Sequence, residues 1–290
     1  MTKLTKIAIT ASLLLLLTGN SEPAPGPRAG DVYEIRNDRE WSSQAADGTS
    51  NGSSTDIDTV AERVIAVRND GLELEYDLSK GATADDRKRV WQFPARLFKP
   101  ADGGTMRLLN AAELEARVDP WLKWSKMTRA ACGQTIFTWN AFRIECDPQS
   151  VVPMLVRYDL RPGVLRDGLP YSDPDAVGPG TMIRKKAGPA GAVFVIELAL
   201  DPERVRRARA EADVTVAQIS KQTLNLETAR RDWAMADIAG TITVTFETDS
   251  AGDVTKRTTL TKLTIKRPGK SPVTETTTET VDRRLVTRGA

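Results

Sequence analysis

Histidine is absent from the 290 residues of the chain, and its absence excludes more chemistry than any motif supports. Without an imidazole there is no Ser-His-Asp or Cys-His catalysis, no His-ligated zinc and no His-ligated haem. Carboxylates remain, but nothing marks two of the 39 acidic residues as the acid and base of a hydrolase. We therefore expect no catalytic residues, and a carboxylate-dependent hydrolase is the third-ranked alternative.

The two cysteines, Cys132 and Cys146, have a spacing that fits a β-hairpin. If the chain turns at residues 138–140, Ile136 faces Phe142 and Cys132 faces Cys146. An even pair of cysteines in an exported protein normally forms a disulfide. A reactive thiol at Cys132 is the alternative, disfavoured because no histidine is present to generate the thiolate. The sequence therefore predicts a disulfide.

Metal-binding motifs are incomplete. Asp173 and Asp175 flank a proline and are candidates for a weak calcium site, but they do not continue into a twelve-residue loop that ends in Glu. Ordinary turn hydrogen bonds explain them better. The sequence indicates no metal site and no cofactor.

The N-terminus has the pattern of a secretory signal peptide. Two lysines precede the apolar run 7–17, and small residues follow it, which predicts a cleavable signal peptide at 1–21. Asn20 stands where a lipoprotein would carry its lipidated cysteine, so no lipid is expected. An uncleaved anchor is the less favoured alternative. Residues 22–30 contain three prolines and are predicted to be a linker, and the expected compartment is the periplasm or the exterior.

Charge is balanced overall but not along the chain. Without residues 1–21 the chain has 39 basic and 39 acidic residues, which disfavours nucleic acid as a partner. Residues 22–89 are acidic and residues 254–290 are basic. The terminal strands either lie side by side and neutralise each other, or their lysines contact an anionic membrane surface. The lysines in question are Lys256, Lys262, Lys266 and Lys270.

Alternating apolar residues predict a meander of strands at 31–78, with a polar loop at 47–54. The C-terminal region is predicted to form three more strands, with a bulge at Leu260. Further strands are predicted at 90–93, 151–160 and 192–200. Residues 161–191, rich in proline and glycine, are predicted to be a long irregular segment.

Helices are predicted between these strands. A short helix is expected at 82–89, and Asn110 with Glu113 forms the pattern of a capping box before a helix at 111–118. Asp119 and Pro120 then predict the start of a second helix. Asp201 and Pro202 begin another, and apolar residues recur at helical spacing over 216–236.

Trp121 and Trp124 are the candidate ligand-binding residues, because their spacing puts both on one helix face, where they could line an apolar groove. Burial in the core is the alternative for these and for Trp41, Trp91 and Trp233, and it is favoured.

Together these patterns predict an α+β fold: residues 31–290 form one domain, a large and mainly antiparallel sheet with a few helices on one face. This plan is similar to that of periplasmic lipoprotein carriers, although no motif supports the likeness. The leading hypothesis is an exported, non-catalytic envelope protein that binds an apolar or anionic ligand such as a lipid. A structural or assembly partner in the envelope is the alternative. An interior apolar groove would favour the first, and a filled core with an exposed apolar patch would favour the second.

Overall fold

A computed structural model of the chain describes residues 26–137, 141–160 and 165–289. The predicted signal peptide and the turn of the predicted hairpin lie outside these ranges. The strands are β1 (Val32–Ala45), β2 (Asn51–Arg68), β3 (Gly71–Leu78), β4 (Ala95–Pro100), β5 (Arg107–Leu108), β6 (Thr135–Phe137), β7 (Ala141–Arg143), β8 (Pro170–Tyr171), β9 (Gly180–Thr181), β10 (Ile183–Gly188), β11 (Gly191–Ala199), β12 (Asp237–Thr248), β13 (Val254–Lys266) and β14 (Val273–Thr287). The helices are α1 (Ala84–Arg89), α2 (Ala111–Trp124), α3 (Val151–Val156), α4 (Pro202–Ile219) and α5 (Leu226–Ala234).

Ten strands form one antiparallel sheet in the order β10-β11-β12-β13-β14-β1-β2-β3-β4-β5. The first and last strands, β1 and β14, pair along their length at its centre, with Asn37 opposite Val281. Strands β6 and β7 form a separate hairpin, and β8 pairs with β9. The predicted large antiparallel sheet with a few helices is confirmed, and both predicted meanders are part of it.

One face of the sheet is buried in a hydrophobic core. In β1 the buried residues Tyr33, Ile35 and Asn37 alternate with half-buried or exposed neighbours, as expected of a strand with one covered face. Buried residues of α2, α3, α4 and α5 belong to the same core cluster. The core is therefore filled by side chains of the strands and helices together.

Helix α2 differs from its prediction at Pro120, where the sequence predicts a new helix. The helix is continuous through this residue. Val118 and Leu122, on either side of it, are both buried, and this burial offsets the backbone hydrogen bond that a proline removes.

The predicted capping box at Asn110 is wrong, because the side chain makes no capping hydrogen bond to α2. Its Oδ1 instead accepts from the backbone N–H of Arg96 at 2.9 Å, and its Nδ2 donates to the Pro94 oxygen at 3.2 Å. Glu113 pairs with the Arg96 guanidinium. Asn110 therefore joins α2 to β4, which lies far from it in sequence.

Two predicted strands are wrong. Residues 90–93 are irregular, and Trp91 is buried there through contacts outside the sheet. Residues 151–156 form α3 rather than a strand. Asp147 begins this segment by accepting from the Gln149 N–H at 2.9 Å, and the capping of this short helical segment overrides the strand preference of its valines.

The predicted irregular segment at 161–191 contains three short strands, and β10 forms an edge of the large sheet. All six residues of β10 are exposed, so it lacks the apolar alternation that would have revealed it. Residues 216–236 are helical only in part, because α4 ends at Ile219 and α5 begins at Leu226, with a non-helical connection between them. The predicted bulge at Leu260 is wrong: Leu260 pairs in register with Thr243, and the register shifts beside Glu247 instead.

Candidate functional site

Helix α2 holds the two predicted ligand-binding tryptophans beside the core. Its buried residues Leu114, Val118 and Leu122 recur every four positions and fix the orientation of the helix. Trp121 and Trp124 lie on the flank of this buried stripe. Trp121 is half-buried, whereas Trp124 is 50% exposed.

The end of α2 turns the chain back through Lys126, which has a φ of 57°. The Met127 N–H donates to the Leu122 oxygen at 2.8 Å and the Lys126 N–H to the Lys123 oxygen at 3.1 Å. These two hydrogen bonds form a Schellman motif, whose left-handed position is usually glycine. The motif places Met127 next to the tryptophans.

Replacing Lys126 by glycine is expected to raise the free energy of unfolding by about 1 kcal/mol, because a left-handed conformation is strained for a residue with a Cβ. Lys221 ends α4 in the same way, with a φ of 55°, and Lys221→Gly should act alike. Urea unfolding measures both changes. Lys123→Gly, inside α2, is the control and should lower stability by about 1 kcal/mol. A loss of stability in both Lys126→Gly and Lys221→Gly would contradict the prediction.

A disulfide-closed hairpin faces α2. Cys132 and Cys146 are bonded with Cα atoms 5.6 Å apart, and Ile136 pairs with Phe142, both as predicted. The base of the hairpin is tied to the core by Ile144, which is buried. The Nε1 of Trp91 also donates to the backbone oxygen of Glu145 at 3.1 Å.

Arg129 links α2 to the start of the hairpin. Its guanidinium contacts Glu115 at 2.7 Å and Asp119 at 2.6 Å, both on α2. The hydrogen bond from Arg129 lowers the pKa of Asp119, and the hydrogen bonds to Asp119 and Glu115 raise the pKa of Arg129. The pKa shifts of Asp119 and Arg129 both favour the charged forms that make this pair. Because they are exposed, the pairs contribute little stability, but they fix where the hairpin leaves α2.

Between α2 and the hairpin lies a recess of about 430 Å³, which we call the aromatic recess. Trp124 and Phe142 are 50% and 43% exposed there, although both are large apolar side chains. Arg89 and Lys126 add two positive charges, and no carboxylate is among the described residues of the lining. The lining residues are Arg89, Trp121, Trp124, Ser125, Lys126, Met127, Ile136 and Phe142.

The aromatic recess is suited to binding rather than to catalysis. The indole N–H of Trp121 already donates to the Arg89 backbone oxygen at 2.9 Å, so this ring is held in place. Among the described residues of the lining, Ser125 is the one with a hydroxyl, and no base accompanies it there. What remains is an exposed apolar surface with a cationic rim.

Trp121 and Trp124 both line the aromatic recess, and the structure adds lining residues that the sequence reasoning missed. Ile136 and Phe142 were identified only as a cross-strand pair of the hairpin, and no local signal indicated that the hairpin faces α2. Among the other tryptophans, Trp91 and Trp233 are buried. The Nε1 of Trp41 donates to Glu275 at 3.3 Å.

Glu62 is a fully buried carboxylate with a structural role. Its Oε1 accepts from Arg283 at 2.8 Å, and its Oε2 accepts from the Tyr76 hydroxyl at 2.8 Å. The Arg283 guanidinium also lies 3.3 Å from the centre of the Tyr33 ring. Glu62 is on β2 and Arg283 on β14, so the pair crosses the central strand β1.

Asp31, also fully buried, lies next to β1 and joins the first and last parts of the described chain. Burial raises the pKa of this carboxyl, but hydrogen bonds from the N–H groups of Arg28 and Gly289, together with the Arg288 charge, outweigh it and lower the pKa overall. The Arg288 guanidinium is 3.0 Å from the carboxylate. An arginine thus pairs with each of Asp31 and Glu62. This pairing does not favour a glycosidase, which needs one carboxylic acid as proton donor and one carboxylate as base or nucleophile.

The acidic and basic ends of the chain lie side by side, which favours mutual neutralisation. Arg284 on β14 pairs with Glu34 on β1 at 2.8 Å. Two of the four lysines proposed for a membrane contact also have partners: Lys256 lies 3.6 Å from Glu247 and Lys266 lies 3.6 Å from Asp237. The balance of charge in the sequence therefore reflects, at least in part, pairing within the sheet.

The remaining motifs have local explanations. The Asp173 carboxylate accepts from the Asp175 N–H at 2.8 Å, and Asp175 pairs with Arg204 at 3.3 Å, as in an ordinary turn. No group of three potential metal-binding side chains occurs in the described part of the chain. Residues 48–52 match the Gly-x-Ser-x-Gly pattern, but they overlap the turn between β1 and β2 and have no histidine to act with Ser50.

No family model and no curated protein matches the chain. Among solved structures it is similar to one described as "Lipid-protein interactions in lipovitellin", with 9% sequence identity and a TM-score of 0.42. The match covers 91% of this chain and 26% of that one, so the chain spans about a quarter of the solved protein. A likeness at this level carries no argument about function. Among the described residues, no helix has the length and apolar character needed to cross a membrane.

Proposed function

We propose that this protein is an exported, non-catalytic envelope protein that binds the surface of an anionic membrane through the aromatic recess. The observation that carries the proposal is the pairing of exposed Trp124 and Phe142 with the cations Arg89 and Lys126. Tryptophan and phenylalanine are favourable at the boundary between lipid headgroups and acyl chains. Arginine and lysine beside them suit anionic headgroups. Export through a signal peptide at 1–21 is part of the proposal.

A lipid surface fits better than a single enclosed acyl chain. The buried side chains of strands and helices form one contiguous cluster, and the aromatic recess lies on the outside of the fold, open to solvent. A ligand there would be contacted from one side, as a peripheral protein contacts a bilayer.

Assembly with another envelope protein is the second candidate. The same observations favour it, because a filled core with an exposed apolar patch is typical of a protein interface. Among the described residues, no carboxylate lines the aromatic recess, which makes an anionic lipid surface the first choice over a generic protein partner.

The proposal is tested by sedimentation with vesicles of phosphatidylglycerol and phosphatidylcholine, compared with phosphatidylcholine alone. We expect binding to the anionic vesicles, weakened about tenfold or more in Trp124→Ala/Phe142→Ala, since each truncation removes on the order of 1 kcal/mol of apolar burial. Arg89→Gln/Lys126→Gln should reduce the preference for anionic vesicles.

The matched control is Val177→Ala/Met235→Ala, which removes exposed apolar side chains outside the aromatic recess. This variant should bind vesicles as the unaltered protein does. Equal binding by Trp124→Ala/Phe142→Ala would refute the lipid contact. If that variant instead dissociates an oligomer seen by native mass spectrometry, without any change in vesicle binding, assembly is the correct function.

A further inference from the structure

The helices α4 and α5 pack against each other, and residues of both line a second, open recess of about 310 Å³. We call it the arginine recess, because three guanidinium groups line it. Two come from successive positions of α4 and one from α5, and a single carboxylate accompanies them. The lining residues are Glu203, Arg206, Arg207, Arg230 and Ala234. Its volume falls at the lower end of the range for small-ligand sites.

Arg206 is held in position by its neighbours. Its Nε and Nη2 donate to the Ala236 backbone oxygen at 3.2 and 2.9 Å, and its Nη1 pairs with Glu203. The one carboxylate of the arginine recess is thus already engaged. A guanidinium fixed in this way loses little conformational entropy when a ligand binds.

Arg207 and Arg230 differ from Arg206 in having no such partner. Neither forms an ion pair with any carboxylate in the described ranges, although Arg204 and Arg209, in the same helix α4, both do. Both side chains are exposed, and an anion bound between these two like charges would relieve their mutual repulsion. Because they come from two different helices, pairing along one helix cannot account for their placement.

We propose that the arginine recess binds a phosphate group. Three guanidinium groups offer several forked pairs of N–H donors, which match the three or four oxygens of a phosphate better than the two of a carboxylate. The group would belong either to a soluble phosphorylated molecule or to a phospholipid headgroup. The site is separate from the aromatic recess in its residues, and it does not depend on the membrane function proposed above.

The test follows amide chemical shifts of the full, disulfide-bonded protein during titration with inorganic phosphate. We expect saturable shifts in α4 and α5, with binding weakened about tenfold or more in Arg207→Gln/Arg230→Gln. Arg207→Lys/Arg230→Lys keeps the charge but loses the forked donors, so binding should be intermediate. The matched control is Arg231→Gln, on the same helix α5 but outside the lining, which should bind as the unaltered protein does.

A second arm measures sedimentation with phosphatidylcholine vesicles that contain phosphatidic acid. If Arg207→Gln/Arg230→Gln weakens the binding of inorganic phosphate but not the binding of vesicles, the ligand is a soluble molecule. If the variant weakens both, the ligand is a phospholipid headgroup. Trp124→Ala/Phe142→Ala should leave the phosphate titration unchanged, which separates this site from the aromatic recess. The proposal is overturned if phosphate does not bind the unaltered protein, or if Arg231→Gln weakens phosphate binding as much as Arg207→Gln/Arg230→Gln does.

Discussion

Replacing Arg283 by methionine is expected to lower the free energy of unfolding by about 3–5 kcal/mol. Glu62 is fully buried and accepts hydrogen bonds from Arg283 and Tyr76. Without the guanidinium, the carboxylate stays in the core but loses the opposite charge of Arg283, which compensates its desolvation. Urea unfolding at neutral pH, monitored by tryptophan fluorescence, measures the loss.

The control is the double variant Glu62→Gln/Arg283→Met, which removes both charges and keeps the side chains near their original size. Replacing a whole buried ion pair by neutral groups costs far less than breaking it, so the double variant should recover most of the lost stability. If the single and double variants are equally unstable, the penalty comes from packing around Tyr33 and not from an uncompensated charge.

Removing the disulfide is expected to lower the free energy of unfolding by about 3 kcal/mol, because the bond closes a loop of about 15 residues in the unfolded chain. The variant is Cys132→Ala/Cys146→Ala. Alanine is preferred to serine because Cys146 is buried and a hydroxyl there would add its own desolvation cost. Urea unfolding of the variant, and of the unaltered protein with and without reductant, measures the effect.

The same substitution should weaken vesicle binding. The disulfide closes the hairpin that carries Ile136 and Phe142, and these two residues line the aromatic recess together with residues of α2. Thiol titration of the unaltered protein under denaturing, non-reducing conditions should detect no free thiol. Equal stability of the variant and the unaltered protein would show that the core alone holds the hairpin, through Ile144 and Trp91.

The features predicted correctly from the sequence depend on residues that are close along the chain. The pairing of Ile136 with Phe142, and hence of the two cysteines, follows from the length of one hairpin. The C-terminal meander follows from alternation within each strand and from the short connections between them. Asp201 caps α4 as predicted, because a cap bonds only to the next few residues.

The errors arose where a distant segment decides the outcome. Asn110 has the sequence of a helix cap, but Arg96 and Pro94 of the preceding chain engage its side chain. Trp91 belongs to an apolar run typical of a strand, but it is buried beside the base of the hairpin, more than 50 residues away. In both cases a local preference of about 1 kcal/mol was outweighed by tertiary contacts.

The sequence by itself determined which chemistry is excluded, that the two cysteines pair and that the fold is built on antiparallel strands. Only the tertiary structure decided that β1 lies between β2 and β14, so that Glu62 meets Arg283 across it, and that α2 faces the hairpin. The physical reason is range: side-chain alternation and capping act within a few residues, whereas a recess is formed where two separately stable surfaces meet. Trp121 and Trp124 were visible as a pair from their spacing, but the surface that they form with Phe142 exists only in the folded chain.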